Sequence, residues 1–185
     1  MSRPRKAKKS PRAQPDGSLV FVLGGAASGK SDVALRLGQC DGPKAFVATG
    51  QELDDEMTAR IARHRVTRSS EWITAEVPVE LSSWVESNIN KYQSIVIDCL
   101  TLWLSNIGDL INEKMVLKKI ARLLQVIRNG SAKVVIVSNE LGMGLVPIGP
   151  EVRRFRDLSG KMNQLVAAEA DEVYFVVSGQ TLRLK

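Results

Sequence analysis

The chain has 185 residues, of which 44% are apolar, and this suits one domain with a substantial core. Its formal net charge of +6 is local, because residues 1–12 are rich in Lys and Arg without any Asp or Glu, while the remainder carries equal numbers of basic and acidic residues. We therefore expect residues 1–17 to form a disordered basic tail and residues 18–185 to form a single domain. Without a net basic charge, that domain is not expected to bind nucleic acid.

The two cysteines, Cys40 and Cys99, have neither the spacing of a metal site nor the density of a disulfide scaffold. No apolar run approaches the roughly 20 residues that a membrane span needs. No signal peptide is apparent either, and we expect a cytoplasmic enzyme in a reducing compartment.

Apolar runs and amphipathic segments alternate along the chain. The predicted strands are 18–23, 44–49, 72–77, 94–99, 133–137, 173–177 and 181–184. The predicted helices are 30–37, 53–65, 80–90, 113–128 and 150–170. This alternation predicts an α/β fold with a mostly parallel sheet and helices on both faces. The last two strands, separated by Ser178-Gly179-Gln180, predict an antiparallel hairpin at one edge.

Residues 24–31, GGAASGKS, match the phosphate-loop pattern G-x-x-x-x-G-K-[ST] between a predicted strand and a predicted helix. The loop backbone is expected to direct N–H groups at phosphates, with Lys30 on the β- and γ-phosphates and the Ser31 hydroxyl on Mg²⁺. This context indicates a P-loop NTPase-like (RecA-like) fold. The predicted phosphate-binding residues are Gly24, Gly25, Ala26, Ala27, Ser28, Gly29, Lys30 and Ser31.

An apolar run at 95–97 ends in Asp98, as in a Walker-B strand, where a carboxylate helps to hold Mg²⁺. The alternative is an acid that only caps the next turn. The phosphate loop does not name a reaction, because kinases, ATPases, GTPases and other transferases all use one.

His64 is the only histidine of the chain and lies in a predicted helix among Arg60, Arg63, Arg65 and Arg68. It is either a packing residue or a nucleophile that the neighbouring positive charges keep neutral. The arginines in turn either grip phosphates or form a solvated basic face.

Longer motifs narrow the choice among these reactions. They are VATGQELDDEMTARIARHR at 47–65, IVIDCLT at 95–101, SNELGMGLVP at 138–147 and FRDLSGKMNQLVAAEADEVYFVVSG at 155–179. With them the chain resembles, over about residues 18–185, the bifunctional adenosylcobinamide kinase/adenosylcobinamide-phosphate guanylyltransferases of cobalamin biosynthesis.

The resemblance implies two reactions. ATP or GTP phosphorylates adenosylcobinamide, and GTP then donates GMP to adenosylcobinamide phosphate through a GMP–histidine intermediate at His64, giving adenosylcobinamide-GDP and pyrophosphate. It also implies a homotrimer and places catalysis on His64, Lys30 and Asp98. Further nucleotide contacts are implied at Ala48, Thr49, Gly50, Arg65, Val66, Thr67, Arg68, Glu76 and Asp98.

Two other functions remain open at this point. One is a P-loop small-molecule kinase without guanylyltransferase activity, and the other is a nucleotide-sensing or nucleic-acid-binding module that uses the basic tail. The loop at 139–144 faces a corrinoid, closes over the site or is a structural turn. Arg156, Asp157, Asn163 and Gln164 serve either the active site or a subunit interface.

Overall fold

A computed structural model describes residues 17–51, 70–108 and 112–185. Its strands are β1 (Leu19–Gly24), β2 (Lys44–Ala48), β3 (Trp72–Glu76), β4 (Ser94–Asp98), β5 (Lys133–Asn139), β6 (Glu172–Val177) and β7 (Gln180–Arg183). Its helices are α1 (Lys30–Leu37), α2 (Leu81–Asn88), α3 (Leu100–Ile107), α4 (Glu113–Arg128) and α5 (Pro150–Glu169). The predicted helix at 53–65 and the tail up to residue 16 lie outside the described ranges.

The strands form one sheet in the order β3-β2-β4-β5-β1-β6-β7. Every neighbouring pair is parallel except β6 and β7, which are antiparallel. The predicted parallel sheet and its antiparallel edge hairpin are therefore confirmed. Because parallel strands end at the same edge of a sheet, the loops after β1, β2, β4 and β5 come together there.

The central strands are apolar through their middle residues because helices cover both of their faces. In β1, Leu19 and Phe21 pack into a core with residues of α2, α3, α4 and α5, whereas Val20 and Val22 pack on the opposite face with α1. The prediction of helices on both faces is confirmed. Within the described ranges, no helix has the length and apolar character needed to cross a membrane.

Capping residues in the sequence account for the bounds of α4, whereas α3 has no comparable signal and was missed. Helix α4 begins where the Asn112 side chain accepts a hydrogen bond from the Met115 N–H at 3.1 Å, and it ends before Asn129-Gly130. Helix α3 was not predicted, because residues 94–104 read as one apolar stretch. Most of its residues are buried, so it lacks the polar stripe that reveals a surface helix.

Candidate active site

The phosphate loop connects the end of β1 to the start of α1. Gly29 caps α1 in a left-handed conformation with φ of 92°, and Ala27 has φ of 54°. Left-handed residues in such a turn direct successive backbone N–H groups to one side, where they form an anion-binding hollow. The unpaired N–H groups of the first turn of α1 add to it. The backbone is thus shaped to bind phosphate.

Two glycines let the loop pack against the β6–β7 hairpin. A Cβ on Gly24 would lie 2.3 Å from the carbonyl oxygen of Val176, and one on Gly29 would lie 3.4 Å from the Cα of Gly179. The Gly179 N–H also donates to the Ser28 carbonyl at 2.8 Å. Gly24 is therefore needed for close approach to β6, whereas Gly29 is needed for its left-handed backbone.

The ammonium of Lys30 is held within its own loop. The side chain is only 7% exposed, and Nζ donates to the carbonyl of Gly25 and lies 3.5 Å from Ser28 Oγ. A positive charge held among backbone N–H groups strengthens attraction for a phosphate.

Ser31 and Asp98 meet across the sheet. Ser31 Oγ donates to Asp98 Oδ2 at 2.6 Å, although the two residues come from α1 and from the end of β4. Both atoms are oxygen ligands of the kind Mg²⁺ prefers. Among the residues described, no three His, Cys, Asp or Glu side chains cluster to hold a metal. The pair fits a Mg²⁺ ion that takes its other ligands from nucleotide phosphates and water.

The Thr49 hydroxyl fixes the backbone that carries Asp98. Thr49 Oγ1 donates to the carbonyl of Cys99 and accepts from its N–H, both at 2.7 Å, and the Thr49 N–H donates to the carbonyl of Asp98 at 3.1 Å. The Thr49 side chain is fully buried. Its hydroxyl is thus engaged within the protein, while the flanking Ala48 and Gly50 are half-buried.

Cys99 is adjacent to Asp98, but its thiol is not suited to be a nucleophile. Burial, together with the negative charge of Asp98, raises the pKa of Cys99 to about 12. A thiol with that pKa stays protonated at neutral pH, whereas nucleophilic catalysis needs the thiolate.

The other predicted contacts divide into two groups. Strand register puts Ala48 level with both Glu76 on β3 and Asp98 on β4, so the three lie side by side at the carboxyl edge of the sheet. The residues around the predicted nucleophile, namely His64, Arg65, Val66, Thr67 and Arg68, lie outside the described ranges. Their roles remain predictions.

Residues of α3 that the sequence did not single out also support this edge. Asn106 Nδ2 donates to the carbonyl of Thr49 at 2.6 Å and to that of Pro78 at 3.0 Å, which ties together the loops after β2 and β3. Thr101 Oγ1 accepts from the Asn139 N–H at 2.8 Å. No motif marks Asn106, and although Thr101 ends the IVIDCLT motif at 95–101, it was given no role because α3 was not predicted.

A cavity of about 670 Å³ lies beside the phosphate loop, between α5 and the segment that follows β5. The Glu140 N–H donates to the carbonyl of Gly24 at 3.0 Å, so the cavity wall and the loop are in direct contact. The lining residues are Leu23, Glu140, Gly142, Gly144, Val146, Arg156, Asp157, Gly160, Lys161, Asn163, Gln164 and Ala167.

Comparison with known proteins shows the family of the chain. The family model described as cobinamide kinase / cobinamide phosphate guanyltransferase matches residues 20–184. The bifunctional adenosylcobalamin biosynthesis protein CobU of Escherichia coli is 37% identical over 180 residues, covering 90% of this chain and 99% of that protein. CobU of Salmonella typhimurium is 37% identical over 181 residues with the same coverage. CobP of Pseudomonas aeruginosa is 37% identical over 166 residues, covering 89% and 96%.

The solved structure of a KaiC-like protein from Pyrococcus horikoshii has a TM-score of 0.50 and 14% identity, and the match covers 87% of this chain and 71% of that one. At that identity it bears only on the fold, where it agrees with the predicted P-loop NTPase-like architecture. The family match over residues 20–184, by contrast, favours a bifunctional transferase over a kinase without guanylyl transfer. The chain therefore belongs to the cobinamide kinase / cobinamide phosphate guanyltransferase family, the bifunctional transferases of cobalamin biosynthesis.

Proposed function

We propose that the phosphate loop serves both reactions of the family in this chain. In the first, ATP or GTP phosphorylates the hydroxyl of the aminopropanol arm of adenosylcobinamide. In the second, GTP transfers GMP to adenosylcobinamide phosphate, which gives adenosylcobinamide-GDP and pyrophosphate. The observation that carries the proposal is the 2.6 Å contact between Ser31 Oγ and Asp98 Oδ2. It lies beside a phosphate loop whose left-handed residues, Ala27 and Gly29, shape the backbone to bind an anion.

In the kinase step the chain positions a triphosphate and stabilises its charge. The N–H groups of the loop and of the first turn of α1 bind the β- and γ-phosphates, and the Lys30 ammonium offsets the charge of the transferring phosphoryl group. Ser31 and Asp98 hold Mg²⁺. When bound, the ion neutralises phosphate charge as a Lewis acid.

In the guanylyl step the nucleophile is His64, an assignment that rests on the family resemblance and on its being the only histidine. A neutral imidazole nitrogen attacks the α-phosphorus of GTP, so a P–N bond forms while the bond to the β-phosphate oxygen breaks and pyrophosphate leaves. A phosphate oxygen of the acceptor then attacks the same phosphorus and releases the imidazole. Splitting the transfer in this way replaces one difficult displacement with two easier ones.

One loop suits both steps because the same two phosphates carry the developing charge. When the γ-phosphoryl group transfers, the charge builds on the β- and γ-phosphates, and when GMP transfers, it builds on the leaving pyrophosphate. We expect the Lys30 ammonium and the N–H groups of the loop to stabilise either charge, since Lys30 is held within the loop.

GTP labelled at the α-phosphate tests the guanylyl step. We expect acid-labile label on the native protein and none on His64→Ala, which should still phosphorylate cobinamide because the phosphate loop is intact. Native protein that takes up no label in the presence of Mg²⁺ would refute the histidine intermediate.

Lys30→Ala tests the shared loop, and it should abolish both activities. Lys91→Ala is the matched control, since Lys91 is exposed and its ammonium contacts only Asn88 on α2 among the described hydrogen bonds. Kinase turnover that survives in Lys30→Ala would contradict the assignment of the loop.

We also propose that residues 18–185 act as one domain, that the basic tail is dispensable for catalysis and that the enzyme is a cytoplasmic homotrimer. The Gly17 N–H donates to the carbonyl of Gly130 at 2.9 Å, so a deletion should stop at residue 16. Deleting residues 1–16 should leave both catalytic rates nearly unchanged.

Light scattering should give three times the mass of one chain, and any other mass would reject the trimer.

A further inference from the structure

The cavity between α5 and the segment after β5 adjoins the phosphate loop but is separate from the hollow that would receive phosphates. Leu23, the last residue before the loop, forms part of its wall, and Glu140 forms another part while bonding to Gly24. A molecule in this cavity is therefore next to the β1 end of the loop. That is a suitable place for a second substrate.

Gly160 leaves space over the middle of α5. A glycine inside a helix costs about 1 kcal/mol relative to alanine, so a packing reason is expected for keeping one. A Cβ at Gly160 would meet nothing within 4 Å. Since no described part of the chain requires the glycine, the space it leaves in the cavity wall is free for something outside the chain.

Asn163 supplies an unsatisfied acceptor at the same wall. The residue is 4% exposed, its Nδ2 donates to the carbonyl of Asn139 at 3.0 Å, and its Oδ1 has no hydrogen-bond partner within the described ranges. A buried acceptor left unpaired costs about 1–3 kcal/mol. A ligand N–H, or a water that a ligand holds in place, would remove this cost.

The charges around the cavity indicate an uncharged polar ligand. Two are basic, Arg156 and Lys161, and two are acidic, Glu140 and Asp157. Arg156 pairs with Asp157 at 3.2 Å, and Lys161 pairs with Glu113 on α4 at 2.8 Å. With its charges balanced in this way, the wall offers a phosphate no net attraction but gives neutral amides both donors and acceptors.

The segment after β5, which lines the cavity through Val146, carries exposed apolar side chains. Three side chains of the segment after β5 are exposed, with Met143 at 76%, Leu145 at 97% and Val146 at 67% of their surface accessible. Exposed apolar side chains beside a cavity that has both polar and apolar lining residues are typical of a site for a ligand that has both kinds of surface. A large ring with apolar faces and amide groups at its rim has this character.

We infer that this cavity is the acceptor site, where the carboxamide-bearing ring of cobinamide binds against the wall that contains Asn163 and Gly160. The inference rests on the proposed function, which makes cobinamide the acceptor. Because the cavity adjoins Gly24, the hydroxyl arm of a ring bound there extends toward the phosphates held by the loop. Gly160 provides the space for the ring edge.

Gly160→Phe tests the site by filling that space. We expect the Kd for cobinamide, measured by equilibrium dialysis without nucleotide, to rise at least about tenfold, and the KM for cobinamide to rise with it. The KM for the nucleotide should not change, since the phosphate loop is untouched. Gly160→Ala, which adds only a methyl group, should raise the Tm and raise the Kd less than Phe does.

Two further variants make the result independent of one substitution. Ala168→Phe adds the same ring to an exposed position of α5 that does not line the cavity, and it should bind cobinamide like the native protein. Gln164→Leu removes an exposed amide of the cavity wall without removing a described hydrogen bond, and it should raise the Kd severalfold.

The outcomes separate the inference from the function on which it rests. Native protein that does not phosphorylate cobinamide rejects the proposed function. Native protein that does so, while Gly160→Phe and Gln164→Leu keep the native Kd, rejects only the acceptor site. A change of oligomeric mass in Gly160→Phe, measured by light scattering, also rejects it, because the cavity would then be a contact between copies of the chain.

Discussion

Replacing Thr49 by valine should loosen the link between β2 and β4 while keeping the shape of the side chain. Valine has the same volume but no hydroxyl, so the N–H and the carbonyl of Cys99 both lose a partner. The carbonyl still accepts from the Trp103 N–H at 3.1 Å, whereas no other partner is described for the N–H. An orphaned buried N–H costs about 1–3 kcal/mol and the lost hydrogen bond about 1 kcal/mol, so we expect a loss of about 2–4 kcal/mol.

That loss is large against a typical total stability of about 5–15 kcal/mol, and equilibrium urea unfolding measures it. Thr49→Ser is the control, because it keeps the hydroxyl and removes only a methyl group, at about 1 kcal/mol. Valine should also lower the turnover of both reactions, since the backbone it loosens carries Asp98. A Thr49→Val protein whose free energy of unfolding is less than about 1 kcal/mol below that of the native protein would refute the reasoning.

Three further predictions concern the phosphate loop, the two cysteine thiols and Asp171, which bonds to the start of β1. Gly24→Ala should abolish nucleotide binding in a dialysis assay, because its Cβ would lie 2.3 Å from a carbonyl of β6; native affinity would contradict this. At pH 8 the thiol reagent DTNB should modify Cys40 first and Cys99 only on unfolding, since a pKa of about 12 leaves about one part in ten thousand of Cys99 as thiolate; a fast second thiol would contradict it. Partial burial acts to raise the pKa of Asp171, but a backbone N–H of β1 and Arg128 outweigh it and lower that pKa. Asp171 therefore contributes its full stability above its unfolded pKa of about 3.9, and this contribution is lost as the pH falls. Urea titrations at about pH 5 and about pH 2.5 should show that acid destabilises the native protein more than Asp171→Asn. Equal losses of stability in the two proteins would contradict this prediction.

The fold was predictable where the residues of a short segment determine its secondary structure. The alternation of strands and helices and the turn of the last hairpin are properties of short segments, and the bounds of α1 and α4 agreed with the structure. The order of the strands was not available in this way, because it depends on contacts between distant segments. Helix α3 was missed since a buried helix and a buried strand have the same composition over a few residues.

The site was predictable to a similar degree. The phosphate-loop motif and the Walker-B-like strand predicted that Ser31 and Asp98 bind Mg²⁺ together, although the two residues are 67 positions apart. The structure brings their side chains into contact. The structure also shows what no motif encodes, such as the Thr49 hydroxyl bonding to Cys99, because such partners arise only when the sheet is assembled. His64 stays a prediction.

The packing of the phosphate loop against the β6–β7 hairpin has a consequence for how the protein is made. The loop belongs to the first strand of the sheet, yet Gly24 and Ser28 contact Val176 and Gly179, which the ribosome adds about 150 residues later. A nascent chain that already contains the whole GKS motif still lacks the wall on which the motif rests. The ability to bind a triphosphate should therefore appear late in synthesis, after residue 179 has left the ribosome, and shortened chains should not sequester nucleotide.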